Sequence, residues 1–159
     1  MNLHVRTAAY SVLFLLGQSA LAQDSAVQQL LEISFSCPVD AYEVPAGYYL
    51  KILNRYHWEG SASEFKVRID MRRLAPESDK PEVSKETFVL WAKMSDIGEV
   101  FVRDGVDVNV RCKNGQLCFL GYFVGRGGHS HEPGEVFHVC DASTADDIKV
   151  ALQRLIGTR

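Results

Sequence analysis

Past its first 22 residues, this 159-residue chain has no apolar run approaching the roughly 20 residues a membrane-spanning helix needs. It has no Cys-x-x-Cys pair, the usual signature of a thiol redox enzyme. It has no Gly-x-Ser-x-Gly elbow to expose a nucleophilic serine. Its Gly125-Arg126-Gly127-Gly128 stretch lacks the following helix and the Lys-Ser/Thr that a phosphate loop requires. No excess of positive charge is present: 17 Lys and Arg stand against 20 Asp and Glu, a formal net charge of −3. A mildly acidic chain does not point to nucleic acid or to an anionic membrane surface. Internal repeats, low-complexity tracts and Asn-x-Ser/Thr acceptors downstream of residue 22 are also missing.

What is present begins with the N-terminal segment. Arg6 lies ahead of an apolar core, Ala8 to Leu16, and Ala20-Leu21-Ala22 places small residues before Gln23. This is the layout of a secretory signal peptide over 1–22, too short to anchor in a bilayer. No paired arginine marks twin-Arg export, and the first cysteine, Cys37, is too far along for a lipid anchor. The expectation is an exported chain, periplasmic or extracellular, whose residues 23–159 form a single globular domain. After cleavage it carries no integral membrane segment.

Export makes disulfides the default for Cys37, Cys112, Cys118 and Cys140. Four cysteines allow three pairings. Asn114-Gly115 is a hairpin-turn signal. A three-residue loop would set Cys112 opposite Cys118, leaving Cys37 with Cys140; a two-residue loop would set Cys112 opposite Leu117. The Cys112-x5-Cys118 spacing is wider than a zinc knuckle's.

Ala26 to Cys37 carries two competing periods: Val27, Leu30 and Leu31 fit a helix, whereas Ile33, Phe35 and Cys37 alternate as in a strand. Strands are expected at Tyr48–Tyr56, Glu64–Arg72, Phe88–Met94, Glu99–Arg103, Val106–Cys112, Gln116–Val124 and Glu135–Cys140. In Glu64–Arg72, apolar Phe65, Val67, Ile69 and Met71 alternate with charged residues, so one face meets a core. Gln116–Val124 is apolar on both faces, as in a central strand, and is expected to pair back on Val106–Cys112. Ala75–Glu86 and Gly125–Gly134 read as loops. At the C-terminus, Ile148, Ala151, Leu152, Leu155 and Ile156 form the stripe of an amphipathic helix, capped by Ser143 or Thr144 and stopped by Gly157.

The fold class is mainly β (α+β): an antiparallel barrel or sandwich of about six or seven strands with one C-terminal amphipathic helix. This order, clearest from Phe88 to Ile156, resembles the pleckstrin-homology-like superfold. The resemblance implies two near-orthogonal sheets whose open corner the helix plugs. It also implies binding of peptides or lipid headgroups. A basic cup for the latter would draw on Lys51, Arg55, Lys66, Arg68, Arg72 and Arg73, diluted by Glu59, Glu64 and Asp70. Because such a fold hosts many functions, the function rests on a site.

Two sites stand out. Tyr48, Tyr49, Tyr56 and Trp58 form an aromatic stretch suited to ligand contact, since these side chains bury area yet keep a polar handle. His129 and His131, with Glu132, Glu135 or His138 nearby, have the donor chemistry of a metal site. The reading is an exported, non-enzymatic binding or scaffold domain for a protein, peptide or small ligand. It implies no cofactor. The alternative is a metal-binding or metal-dependent protein built on His129 and His131.

Overall fold

The computed structural model describes residues 25–36, 42–43, 51–74 and 82–157. Residues 1–22, expected to be a signal peptide, and Cys37, Tyr48 and Tyr49 lie outside these residues.

Residues 25–35 form helix α1. Val27, Leu31, Ser34 and Phe35 are buried while Ile33 is exposed, so the helical period prevails over the alternating one. The strands follow in chain order: β1 (Tyr42–Glu43), β2 (Lys51–Trp58), β3 (Glu64–Leu74), β4 (Glu82–Lys93), β5 (Ile97–Arg103), β6 (Asp107–Cys112), β7 (Phe119–Phe123), β8 (Ser130–Glu132) and β9 (Gly134–His138), then helix α2 (Ala142–Gly157). One sheet has the order β1-β2-β3-β4-β7-β8 and the other β5-β6-β9. Every pairing is antiparallel. The expected antiparallel β class with a C-terminal helix is what forms. Among the described residues neither sheet closes into a barrel.

The main correction concerns Cys112 to Val124. Asn114 and Gly115 take positive φ values of 54° and 68°, and Gln116 N–H donates to the Lys113 carbonyl at 3.1 Å, so the Asn-Gly turn forms. It does not make a hairpin. β6 pairs with β5 and β9, whereas β7 leaves for the other sheet and sits between β4 and β8. The Cys112–Cys118 disulfide is present all the same. It clips the end of one sheet to the start of a strand in the other. Cys140 is also disulfide-bonded; its expected partner Cys37 lies outside the described residues.

Two loops are narrower than expected. Part of the polar 75–86 stretch belongs to β4, and Ser130–Glu132 of the Gly/His segment forms β8. At α2 the cap is Asp141 rather than Ser143 or Thr144, because its Oδ1 accepts the Thr144 N–H at 2.8 Å.

The core lies where both sheets and both helices meet. Phe137 of β9 packs edge-on against Phe35 of α1 and Tyr56 of β2 and also touches Phe65 of β3. Phe35 stacks on Trp58. Trp58 Nε1–H donates to Gln28 Oε1 at 2.6 Å, which satisfies the one polar atom of a buried indole. Ile148, Ala151, Leu152 and Leu155 of α2 are buried in the same cluster as Val100, Val108 and Val110.

Candidate functional site

Strand alternation divides each strand of the large sheet between the core and an outer face. On β2, Tyr56 and Trp58 point inward, only 4% and 5% exposed. These two members of the expected aromatic contact strip are therefore core residues. Tyr48 and Tyr49 lie outside the described residues.

The opposite parity builds a different surface. Cross-strand neighbours share a face, so the register sets out its rows. One row runs Lys66, Trp91, Leu120, His131 across β3, β4, β7 and β8. The next runs His57, Arg68, Val89, Tyr122 across β2, β3, β4 and β7. Trp91 and Leu120 are half-buried, and Tyr122 is 37% exposed. Val124, next in the same parity, is 58% exposed. Val89 is only 5% exposed, although it belongs to the outer parity. The outcome is an apolar column along β4 and β7 on the face away from the core.

A charged column lies beside it on β2 and β3. Lys66 Nζ meets Glu59 Oε2 at 3.0 Å, and Arg68 Nε meets Glu59 Oε1 at 3.3 Å. The hydrogen bond and the charge of Glu59 hold the Lys66 ammonium above its ordinary range, so it stays charged. Asp70 Oδ1 accepts the Thr87 hydroxyl at 3.1 Å, and its Oδ2 lies 3.1 Å from His57 Nε2. Arg55 and Arg72, on the same parity, make no ion pair among the described residues.

The histidine pair borders this surface. His131 stands opposite Leu120, and the His129 and His131 ring centroids lie 5.3 Å apart. Both rings are exposed. Among the described residues no group of three or more His, Cys, Asp or Glu is placed to hold a metal ion. His138 instead pairs with Asp107 at 2.7 Å on the other sheet.

A cleft of about 780 Å³ opens on the outer side of the small sheet, lined among others by Glu99, Asn109, Arg111, Lys113 and Val136. Arg111 spreads over the Phe101 ring at 5.1 Å. Glu135 at its edge is held above its ordinary range by burial, with the Val136 N–H bond opposing and Glu132 adding to the rise. Its charges are mixed, and it carries no aromatic column like that of the large sheet.

The structure thus brings His129 and His131 to a surface that the sequence reading missed, namely Trp91, Leu120, Tyr122 and Val124. The signal was present in the two apolar faces of Gln116–Val124. Only one of those faces has a core to enter. No family model matches this chain, and neither a curated protein nor a solved structure matches it.

Proposed function

We propose that this chain is an exported, non-enzymatic binding or scaffold domain that recognises a protein, peptide or small ligand through the outer face of its large sheet. The observation that carries this reading is the Trp91–Leu120–Tyr122–Val124 column beside a charged one. Contact surfaces characteristically combine aromatic anchors with a polar rim. The Cys112–Cys118 bridge suits an oxidising compartment, periplasmic or extracellular. Among the described residues no helix is long and apolar enough to cross a membrane.

The pleckstrin-homology-like architecture belongs to the same reading. Its support is the succession of antiparallel strands ending in an amphipathic helix packed on β5 and β6. The departures from that architecture are the helical α1 and the return of β7 and β8 to the first sheet.

Site-directed photo-crosslinking tests the binding face. A benzophenone residue at position 122 should give adducts in the native compartment that Trp91→Ala abolishes while the circular dichroism is unchanged. Adducts from position 136 alone would move the site to the cleft and overturn the assignment. A second reading, metal binding, rests on the adjacent His129 and His131 rings. It predicts zinc or copper affinity that His129→Ala/His131→Ala removes; titration calorimetry showing no heat with either ion would end it.

A further inference from the structure

The outer face of the large sheet has a shape as well as a chemistry. Its apolar column and its cationic column both run along the strands, side by side. Lys66, Arg68 and Arg72 of β3 lie on the outer parity, with Arg55 of β2 and Lys93 of β4. Among the described residues the acids of that face, Glu59, Glu64 and Asp70, are fewer. Glu59 and Asp70 are already engaged by Lys66, Arg68 and His57. Arg55 and Arg72 keep their charge uncompensated among the described residues. Among the described residues the face is therefore positive on a chain whose formal net charge is −3, and such a face favours an acidic partner.

Geometry narrows the partner further. A sheet face is ordinarily covered by a helix or by another sheet. The inner face of the large sheet is covered in this way; on the outer one Trp91 is half-buried while Tyr122 and Val124 are exposed, and Glu59, just past β2, reaches Lys66 and Arg68. At about 3.3 Å per residue, the Lys66-to-Arg72 column is about 20 Å long. That length matches about 13 residues, or between three and four turns, of α-helix at 1.5 Å per residue. Leu120, Val89 and Val124 are aliphatic, so the column suits apolar side chains better than the stacked rings of a sugar.

We infer that the outer face of the large sheet docks an acidic amphipathic helix of a partner protein, its apolar stripe on Trp91, Leu120, Tyr122 and Val124 and its acidic flank on Arg55, Arg68 and Arg72. The inference rests on the binding-face reading above and specifies its partner.

Fluorescence anisotropy with defined probes tests it on the mature, oxidised chain. The probe is a fluorescein-labelled, side-chain-stapled helix of about 14 residues, with Leu at helical spacing and Glu along one flank. Binding should weaken when salt is raised to about 0.3 M. It should fall about tenfold with Arg68→Glu or Arg72→Glu, and a probe with Lys in place of Glu should regain affinity for those variants. Trp91→Ala should remove binding with the fold intact by circular dichroism. A Gln-for-Glu probe that binds equally well would overturn the acidic partner, as would binding of an unstapled, proline-broken probe the helical one. Preference for a sulfated oligosaccharide over every peptide would overturn the inference, as would absence of all binding. The photo-crosslinks at position 122 would survive any of these failures, which separates the helix inference from the binding-face reading.

Discussion

At the scale of single residues, the core turns on Phe137, whose ring ties α1, β2 and β3 to β9. Phe137→Ala should cost about 3–5 kcal/mol in chemical denaturation, the usual range for a fully buried phenylalanine. A cost under about 1 kcal/mol would mean that the rings repack around the gap. Glu135 gives a pH signature. Burial raises its carboxyl above the ordinary value of 4.5, so the folded chain holds that proton more tightly than the unfolded one. Its contribution to stability is therefore fully present below about pH 4.5, is lost as the pH rises through the folded pKa, and stays lost above it. Glu135→Gln keeps an acceptor for the Val136 N–H, which donates at 3.1 Å. Measured against wild type, the variant should gain stability between pH 4 and pH 7, and a pH-independent difference would refute the assignment.

At the scale of elements, the disulfide crosses between sheets instead of closing a hairpin. Cys112 and Cys118 are six residues apart, and the chain-entropy model gives such a loop about 2 kcal/mol. Cys112→Ser/Cys118→Ser should lower unfolding stability by about that amount, read from the urea midpoint. An unchanged midpoint would show that packing alone fixes the approach of the two sheets. Asp141 caps α2, and the Thr144 N–H bond holds its carboxyl below the ordinary range, with burial opposing and the Thr144 hydroxyl and Ser143 N–H adding to the lowering. Its stabilisation is present above the ordinary carboxylate range and lost as acid protonates it in the fold. Asp141→Ala should lower the melting temperature at pH 7 and lose its effect in strong acid.

These elements also mark where sequence reasoning succeeded and where it ran out. β3 was legible because Phe65, Val67 and Ile69 alternate strictly with charge, and α2 because its apolar stripe repeats at helical spacing. Tyr56 and Trp58 could have been placed in the core by the same rule, since Arg55 and His57 alternate with them. The partner of β7 was not legible. Asn114-Gly115 dictates a local reversal of the chain, and the reversal is the same whichever sheet the next strand joins. In 25–35, the alternation of Ile33 with Phe35 imitated a strand until burial of Leu31 and exposure of Ile33 decided the period.

At the scale of the whole molecule, a weakly acidic chain presents one basic and aromatic face, and the histidine edge of β8 adjoins it. The proposed contact lies there and not at the cleft of the small sheet. The chain has two tryptophans, one on each side of the large sheet, so the indole signals report the two faces separately. The most direct measurement is a ¹H–¹⁵N NMR titration of the mature protein with the stapled acidic helix. The Trp91 indole and the amides of Leu120 to Val124 should shift together while the Trp58 indole and the Arg111–Gly115 amides stay in place. Shifts confined to Arg111–Gly115 and Pro133–Val136, with the Trp91 indole unmoved, would contradict it.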